Sequence, residues 1–293
     1  MTLPRRIDVD ARAILARLDP RLADASLTEV GEGWDNIAYA VDGHLLLRVG
    51  KHTDVAERRR VTAKDVAVLA FAGRNSSLPT NKVLAADPDE GAILMTLVPG
   101  EPAEVRAPRD RAAFAATLAT FLTRLHMVPV SELGEVVGPD RSQAEWLRET
   151  SEAWSAARHL FDPRDQRQIE DFLAQPVPDP PRRMVFCHND LGEEHILLTN
   201  GGAAVAGVID WSDAVLGDPA RDLALLWLDF GVEVFEPVLA GYEGLHDDDL
   251  RGRTRWFAAR AGVEGVTYRA VHARRSLGRT MTSLRAILLE QPS

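Results

Sequence analysis

Three residues whose side chains can do chemistry, Asp190, His195 and Asp210, fall within one short stretch of the chain. Phosphoryl transfer needs such a set: one carboxylate orients the attacking hydroxyl, while another side chain and a second carboxylate hold the magnesium ion that bridges nucleotide phosphates. A single aspartate at a strand end is usually a turn or cap residue. The interpretation therefore depends on the three residues lying together.

Short strands must bring these residues together. Apolar runs that read as buried strands occupy Met184–Cys187, Ile196–Leu198 and Ala203–Ile209, and a Thr-Asn-Gly-Gly turn joins the last two. The polar turn between the first two runs carries His188, Asp190 and His195. We expect a hairpin folded at this glycine turn to bring all three candidate residues close together, each at a strand end.

The residue pattern of this segment resembles the motifs of one enzyme family. His188-Asn189-Asp190 is followed by His195, then by Ile209-Asp210-Trp211 and by Gly-Asp-Pro-Ala-Arg-Asp-Leu-Ala at 217–224. Together these motifs resemble the aminoglycoside phosphotransferase family of antibiotic kinases, which includes macrolide kinases and has a protein-kinase-like fold. The resemblance implies an α+β, two-lobed chain: residues 1–97 would form a nucleotide-binding lobe with a five-stranded antiparallel sheet and one helix. Residues 98–293 would form a larger, mostly helical lobe for catalysis and substrate binding.

The resemblance also implies roles for the central residues. Asp190 would accept or orient the proton of the acceptor hydroxyl, His195 and Asp210 would bind Mg²⁺, and His188 would brace the loop. Histidine departs from the commoner asparagine at position 195, and Mg²⁺ prefers oxygen ligands. His195 could therefore bind the metal directly, contact it through water, or only hydrogen-bond the loop. Asp222, further along, is interpreted as a loop or helix-cap residue.

A turn rich in glycine lies near the start of the chain. Gly31 and Gly33 would let backbone N–H groups approach phosphate oxygens, and Asn36 could add a side-chain donor. The pattern alone is weak, because ordinary hairpin turns share it. Its wording, Gly-Glu-Gly-Trp-Asp-Asn, resembles the nucleotide loop of antibiotic kinases.

Strand alternation predicts the cation that would hold the phosphates. Arg48 shares a strand face with Leu46 and takes the place of the kinase lysine, and an arginine can bind phosphate oxygens bidentately. Lys51 has the opposite parity and is less favoured. The resemblance implies an acidic partner on the following helix, with Asp65 as the first choice and Glu57 as the second. By position, Thr96 and Val98 would supply backbone contacts to the nucleobase.

Periodicity and turn signals predict the remaining elements. The predicted strands are 27–31, 37–41, 44–49, 82–86 and 92–96, with a two-residue hairpin turn at Asp42-Gly43. The predicted helices are 7–18, 53–73, 109–127, 145–159, 164–175, 220–228, 232–241, 248–261 and 267–289.

Composition restricts the partners. The chain has 293 residues and a formal net charge of −10, which argues against a nucleic-acid partner. The charge is compatible with a cationic small molecule, although acidic charge also serves solubility. One cysteine and no signal peptide or membrane span favour the cytoplasm. We expect a monomer or weak dimer that uses ATP or GTP.

The acceptor stays open at this point. Acidic residues could line a site for an aminoglycoside or a basic peptide antibiotic: Asp229, Glu233, Glu236, Glu243 and Asp247–Asp249. A macrolide would need apolar walls, which Trp227, Phe230, Phe235 and Trp256 could supply. A metabolic kinase for a sugar, choline or an amino alcohol, and a non-catalytic nucleotide-binding relative, are the alternatives.

Overall fold

The computed structural model describes residues 9–33, 35–133, 136–245, 247–272 and 277–290. Its first part is a five-stranded sheet with a short helix before it and a longer helix between the third and fourth strands. These elements are α1 (Ala11–Leu18), β1 (Leu27–Glu32), β2 (Asn36–Val41), β3 (Leu45–Gly50), α2 (Val55–Asn75), β4 (Val83–Asp87) and β5 (Ala92–Thr96).

The sheet is antiparallel, with strand order β1-β2-β3-β5-β4. Asp42 and Gly43 have φ angles of 49° and 73°, as the tight turn between β2 and β3 requires. The predicted five-stranded sheet and its helix are confirmed. Strand β5 ends one residue before the predicted lobe boundary, which itself stays a prediction.

The two faces of β3 have different partners. Leu47 and Val49 are buried in a small core with Ile14 and Leu15 of α1. The opposite face carries Arg48, whose side chain pairs with α2. The alternation read from the sequence therefore turns the predicted phosphate-binding cation toward α2, away from the α1 core.

The second part of the chain is mostly helical around one large core. Its elements are β6 (Glu101–Pro102), α3 (Arg111–His126), α4 (Gln143–Ala157), α5 (Pro163–Leu173), β7 (Val185–Cys187), β8 (Ile196–Leu198), β9 (Val205–Val208), β10 (Val215–Gly217), α6 (Ala220–Phe230), α7 (Val232–Gly241), α8 (Leu250–His272) and α9 (Leu277–Leu289). Local signals set several helix starts. Asp110 accepts two backbone N–H groups at the start of α3, and Ser142 and Glu145 form a capping box on α4.

Small sheets position the segment that contains the candidate site. Strands β8 and β9 pair as an antiparallel hairpin, with Ile196 opposite Val208, while β7 pairs with β10. The Ile209 N–H donates to the His195 carbonyl at 3.0 Å. The hairpin thus returns the end of β9 to the beginning of β8, as the glycine turn predicted.

One stretch of the C-terminal helices differs from the prediction. The expected break after Ala261 is absent, since α8 runs continuously from Leu250 to His272. A Cβ atom on Gly262 would lie 2.9 Å from a methyl group of Leu284. This glycine allows α8 and α9 to pack closely and does not stop the helix. No helix within the described ranges is long and apolar enough to cross a membrane.

Candidate active site

The structure brings the three central residues together. The His195 Nδ1 atom lies 3.4 Å from Asp190 Oδ2, and its Nε2 atom lies 3.7 Å from Asp210 Oδ2. The side chains of Asp190 and Asp210 are 41% and 50% exposed, so a bound ligand can reach both carboxylates. The expectation that the hairpin gathers these residues is confirmed by the geometry.

One member of this cluster and one residue beside it adopt left-handed backbone conformations. Asn189 has a φ of 71° and Asp210 a φ of 60°, and neither is a glycine. Such conformations persist where surrounding contacts hold them, and they occur often at functional sites. The backbone geometry indicates that the loop and the end of β9 are held in place by their neighbours.

His188 supplies part of that support, as predicted. Its buried ring accepts the Asp190 N–H at Nδ1 (3.3 Å) and donates from Nε2 to the Ile209 carbonyl (3.0 Å). Burial lowers the pKa of His188 to about 4, so the ring is neutral at physiological pH. One ring therefore joins the loop after β7 to the end of β9.

Asp222 supplies the remaining support of the loop after β7. Its interpretation as a loop or cap residue was wrong, because its carboxylate binds this loop and not the start of its own helix. Its carboxylate is buried and accepts the backbone N–H groups of His188 (2.9 Å) and Asn189 (2.7 Å) and the Nε2 of His126 (3.0 Å). Burial would raise the pKa of Asp222, but the hydrogen bond and charge of His126 and the bond from the loop backbone hold it below its ordinary value.

The environment of Asp190 favours its protonated form. Burial raises the pKa of this carboxyl to about 7, and the charges of Asp213, Glu194 and Asp210 act in the same direction against that of His195. A carboxylate whose pKa lies near 7 is suited to accept a proton at neutral pH.

The imidazole of His195 is oriented toward Asp210. Its Nδ1 lies 2.8 Å from the Asp190 carbonyl, so this nitrogen donates and the Nε2 atom of the neutral ring carries the lone pair. Burial lowers the pKa of His195, yet the charges of Asp190 and Asp210 raise it overall. Burial opposes ionisation of Asp210, but the charges of His195 and Arg48 lower its pKa.

A cation faces this cluster from β3. Arg48 donates to Asp65 Oδ2 at 2.5 Å and to Ser212 Oγ at 2.7 Å, and it lies 3.9 Å from Asp210 Oδ1. Asp65 is thus the partner on α2, whereas the second choice, Glu57, pairs with Arg60 on the surface. Burial raises the pKa of Asp65, although the charge of Arg48 opposes this.

The turn between β1 and β2 is held by Lys51, which the strand alternation did not favour. Lys51 donates from Nζ to the Gly33 carbonyl (2.7 Å) and pairs with Glu32 at 2.6 Å. The Gly33 N–H donates to the Asn36 carbonyl at 2.9 Å. Of the predicted turn residues, Gly31 lies in β1 and Asn36 begins β2. A Cβ on Gly31 would meet nothing within 4 Å, so this face of β1 is unobstructed next to the turn. Trp34 lies outside the described residues.

The two predicted nucleobase contacts differ in availability. The Thr96 N–H donates to the Lys82 carbonyl, and the Thr96 carbonyl accepts Asn81 Nδ2, each at 2.9 Å. Within the described part of the chain, no hydrogen bond uses the backbone of Val98. Val98 therefore has the freer backbone groups, and both contacts stay predictions.

A family model agrees with this geometry. The model described as the phosphotransferase enzyme family matches residues 26–257. The chain belongs to this family. The predicted resemblance and phosphotransferase activity are thereby confirmed, while the roles of individual residues stay predictions.

Two curated relatives are antibiotic phosphotransferases by name. The chain is 26% identical to a viomycin phosphotransferase of Streptomyces vinaceus over 208 residues, covering 66% of this chain and 72% of that protein. It is 29% identical to an aminoglycoside 3'-phosphotransferase of Escherichia coli, covering 69% and 76%.

Solved structures support the kinase-like fold. The GDP and kanamycin complex of APH(2")-IIia matches with a TM-score of 0.73 at 20% identity, covering 94% of this chain and 97% of that one. Macrolide 2'-phosphotransferase MphH from Brachybacterium faecium matches with a TM-score of 0.62 at 22% identity, covering 97% and 100%.

In this phosphotransferase a cavity of about 400 Å³ opens beside Asp190. Its wall combines Asp213 with aromatic, apolar and basic side chains that the sequence analysis had not singled out, among them Arg141, Trp146, Leu225, Arg221 and Tyr268. These residues come from four separate segments, and only the helical periodicity of α4 and α8 could have suggested that they share a wall.

The residues that the sequence offered as acceptor contacts lie elsewhere. None of the named acidic residues is among the described residues that line the cavity. Several pair with arginines instead: Glu233 with Arg111, Glu236 with Arg251, Asp247 with Arg253 and Asp248 with Arg182. Trp227, Phe235 and Trp256 are buried in the core, and Phe230 packs on Phe114.

Proposed function

We propose that this phosphotransferase transfers the γ-phosphate of ATP or GTP to a hydroxyl of an antibiotic and so confers resistance. The observation that carries the proposal is the position of Asp190. It lines the 400 Å³ cavity, and its Oδ2 atom lies 3.4 Å from His195 Nδ1. An acceptor in the cavity would thus meet the carboxylate beside the candidate metal ligands.

Asp190 would orient the acceptor hydroxyl and accept its proton as the phosphate is transferred. The raised pKa of about 7 makes the carboxylate a stronger base than an exposed aspartate while leaving it largely ionised above pH 7. The hydrogen bonds from the neighbouring loop to His188 and Asp222 would keep it aligned.

The donor set near Asp210 fits a divalent cation. Asp210 offers half-exposed carboxylate oxygens, and His195 Nε2, which lies 3.7 Å from one of them, carries a lone pair when the ring is neutral. Mg²⁺ commonly uses one or two carboxylates together with substrate phosphates. When bound, Mg²⁺ would neutralise charge on the nucleotide phosphates. Arg48, held by Asp65, would bind phosphate oxygens beneath the turn of Gly31, Gly33 and Asn36.

The names of the relatives support an antibiotic acceptor. Both of the relatives named above act on antibiotics according to their names, and both match over about two thirds of this chain. The cavity provides apolar and aromatic wall at Leu225 and Tyr268, which suits a ring-bearing acceptor. Its charged lining, among the described residues, is mixed, with three acids and three arginines: Asp190, Asp213, Glu264, Arg141, Arg221 and Arg260. The cytoplasmic location and the monomer or weak dimer stay predictions.

A mass-spectrometric screen tests the proposal. The protein is supplied with ATP or GTP and Mg²⁺ and offered aminoglycosides, macrolides and basic cyclic peptide antibiotics. We expect a gain of one phosphate on one class, which disappears in Asp190→Asn. Phosphorylation only of a sugar, choline or an amino alcohol would replace the proposal with a metabolic kinase. Nucleotide binding without turnover of any acceptor would indicate a non-catalytic relative.

A further inference from the structure

We propose that Arg221 is a positioning residue for phosphate transfer, which acts by holding Asn189 and thereby Asp190. The inference rests on the proposed function, since Asp190 is the carboxylate that would meet the acceptor. Arg221 is the second residue of α6 and lies beside Asp222, which already binds the same loop.

Asn189 is bound to α6 through both its side chain and its backbone. Its Oδ1 atom accepts Arg221 Nε at 2.7 Å, while its backbone N–H donates to Asp222 Oδ1 at 2.7 Å. The φ of 71° at Asn189 is a conformation that asparagine adopts more readily than most residues, but not as freely as glycine. The bond from Arg221 fixes the side chain in the orientation that accompanies this backbone, and Asp190 follows directly.

Arg221 is itself held rigidly. Its guanidinium lies 4.2 Å from the ring centre of Trp146, and its Nε atom is 3.4 Å from Asp140 Oδ2. The indole Nε1 of Trp146 donates to the same carboxylate at 3.3 Å. With its side chain only 6% exposed, Arg221 has little freedom to leave the position in which it bonds the loop.

The same arrangement joins the acceptor-side cavity to the catalytic loop. Trp146, Arg221, Asn189 and Asp190 all line that cavity. The bond from Arg221 Nε to Asn189, at 2.7 Å, is shorter than the contact of the same atom with Asp140, at 3.4 Å. A purely structural ion pair with Asp140 would not require the guanidinium to bond the loop, so the geometry favours a role in alignment.

A double-mutant cycle separates alignment from simple stabilisation. Arg221→Met keeps most of the stem but removes the N–H that binds Asn189. We expect kcat to fall about tenfold or more, since this is the effect of losing one charge-assisted bond, with the KM for nucleotide changed less than about twofold. Glycine at position 189 adopts the same φ without a side chain, so Arg221→Met should lower kcat by less than about twofold in an Asn189→Gly background. Losses that multiply independently would overturn the proposal, as would a changed acceptor KM with an unchanged kcat.

A matched control is available on another pair of helices. Arg285 of α9 donates to the buried carboxylate of Asp165 at 2.7 and 2.6 Å, and it lies outside the candidate site. Arg285→Gln should lower the melting temperature and leave kcat unchanged. If Arg221→Met does not fold, Arg221→Lys replaces it, because lysine keeps the charge but has no N–H at the Nε position.

Hydrogen exchange tests the same inference without an acceptor. The segment 188–195 should exchange about tenfold faster in Arg221→Met than in the wild type, and at the wild-type rate in Arg285→Gln. Equal exchange in all three proteins would overturn the role of Arg221. If the wild type phosphorylates no antibiotic, the proposed function fails, whereas the exchange result still decides whether Arg221 holds the loop.

Discussion

Removing one charge from Asp222 is the sharpest test of how the catalytic loop is held. The carboxylate is fully buried and accepts three hydrogen bonds, from the backbone of His188 and Asn189 and from the ring of His126. Asp222→Asn preserves the shape of the side chain. It removes the charge and turns one acceptor into an N–H donor that faces another donor.

The expected loss can be worked from these contacts. A hydrogen bond to a charged group contributes about 1.5–3 kcal/mol. With its NH2 group in the place of Oδ1, asparagine would lose the bond from Asn189 and the charge that strengthens the other two bonds, which together equal about two such bonds. The result, about 3–6 kcal/mol, overlaps the cost of about 3–5 kcal/mol for breaking a buried charge pair. Because the stability of a folded domain is about 5–15 kcal/mol, the loss is a large fraction of the total. It corresponds to a fall in melting temperature of roughly 6–15 °C.

The pH dependence provides a second magnitude with a definite sign. Contacts hold the folded-state pKa of Asp222 below the ordinary value of 3.8. Its stabilisation is therefore present above the unfolded pKa and is lost as the pH falls through the folded value. The difference in stability between the wild type and Asp222→Asn should be full at pH 7 and should shrink below about pH 4.

Urea unfolding and steady-state kinetics measure both effects. We expect kcat to fall about a hundredfold, because a misplacement of about 1 Å has an effect of this size. Asp165→Asn is the matched control, since Asp165 is also buried but accepts bonds from the half-exposed Arg285 of α9, outside the candidate site. Its cost should be about 1.5–3 kcal/mol, because asparagine keeps one of the two bonds from Arg285, and kcat should be unchanged. An Asp222→Asn protein as stable and as active as this control would refute the reasoning.

Three further predictions concern the cleft. Asp190→Asn should lower kcat about 10²–10⁴-fold, the usual contribution of a general base. Because folding raises the pKa of Asp190 to about 7, its ionised form opposes folding, so the melting temperature of the variant should exceed that of the wild type by more at pH 8 than at pH 5. A difference that does not change with pH would contradict the raised pKa. His195→Asn should favour Mg²⁺ over Mn²⁺ about tenfold in an activity assay, because imidazole suits softer metals, and an unchanged preference would exclude direct ligation. Arg48→Lys should raise the nucleotide KM about tenfold, since lysine lacks the planar fork that bonds Asp65 and Ser212 and can bind phosphate oxygens bidentately, and a KM equal to that of the wild type would exclude a role for the fork.

The elements that carry the site were predictable because local signals specify them. The glycine turn after β8 and the alternation along β3 were sufficient to bring Asp210 to His195 and to turn Arg48 toward Asp65. Both follow from periods of two residues and from turn chemistry, which act within a few positions of the chain. The break expected after Ala261 failed because Gly262 serves packing against Leu284, a contact that no local pattern encodes.

The supports of the loop were not predictable for the same physical reason. Asp222, His126 and Arg221 lie on helices well separated from the loop in sequence, and each looks locally like a helix-end or surface residue. Their function follows only from burial, which makes every polar contact decisive: a buried carboxylate must find donors, and the loop N–H groups are the donors at hand. A catalytic aspartate placed on a short loop therefore depends on side chains that lie outside the His188-Asn189-Asp190 motif of that loop. Substitutions at Arg221 or Asp222 should change turnover as strongly as many changes in the motif itself.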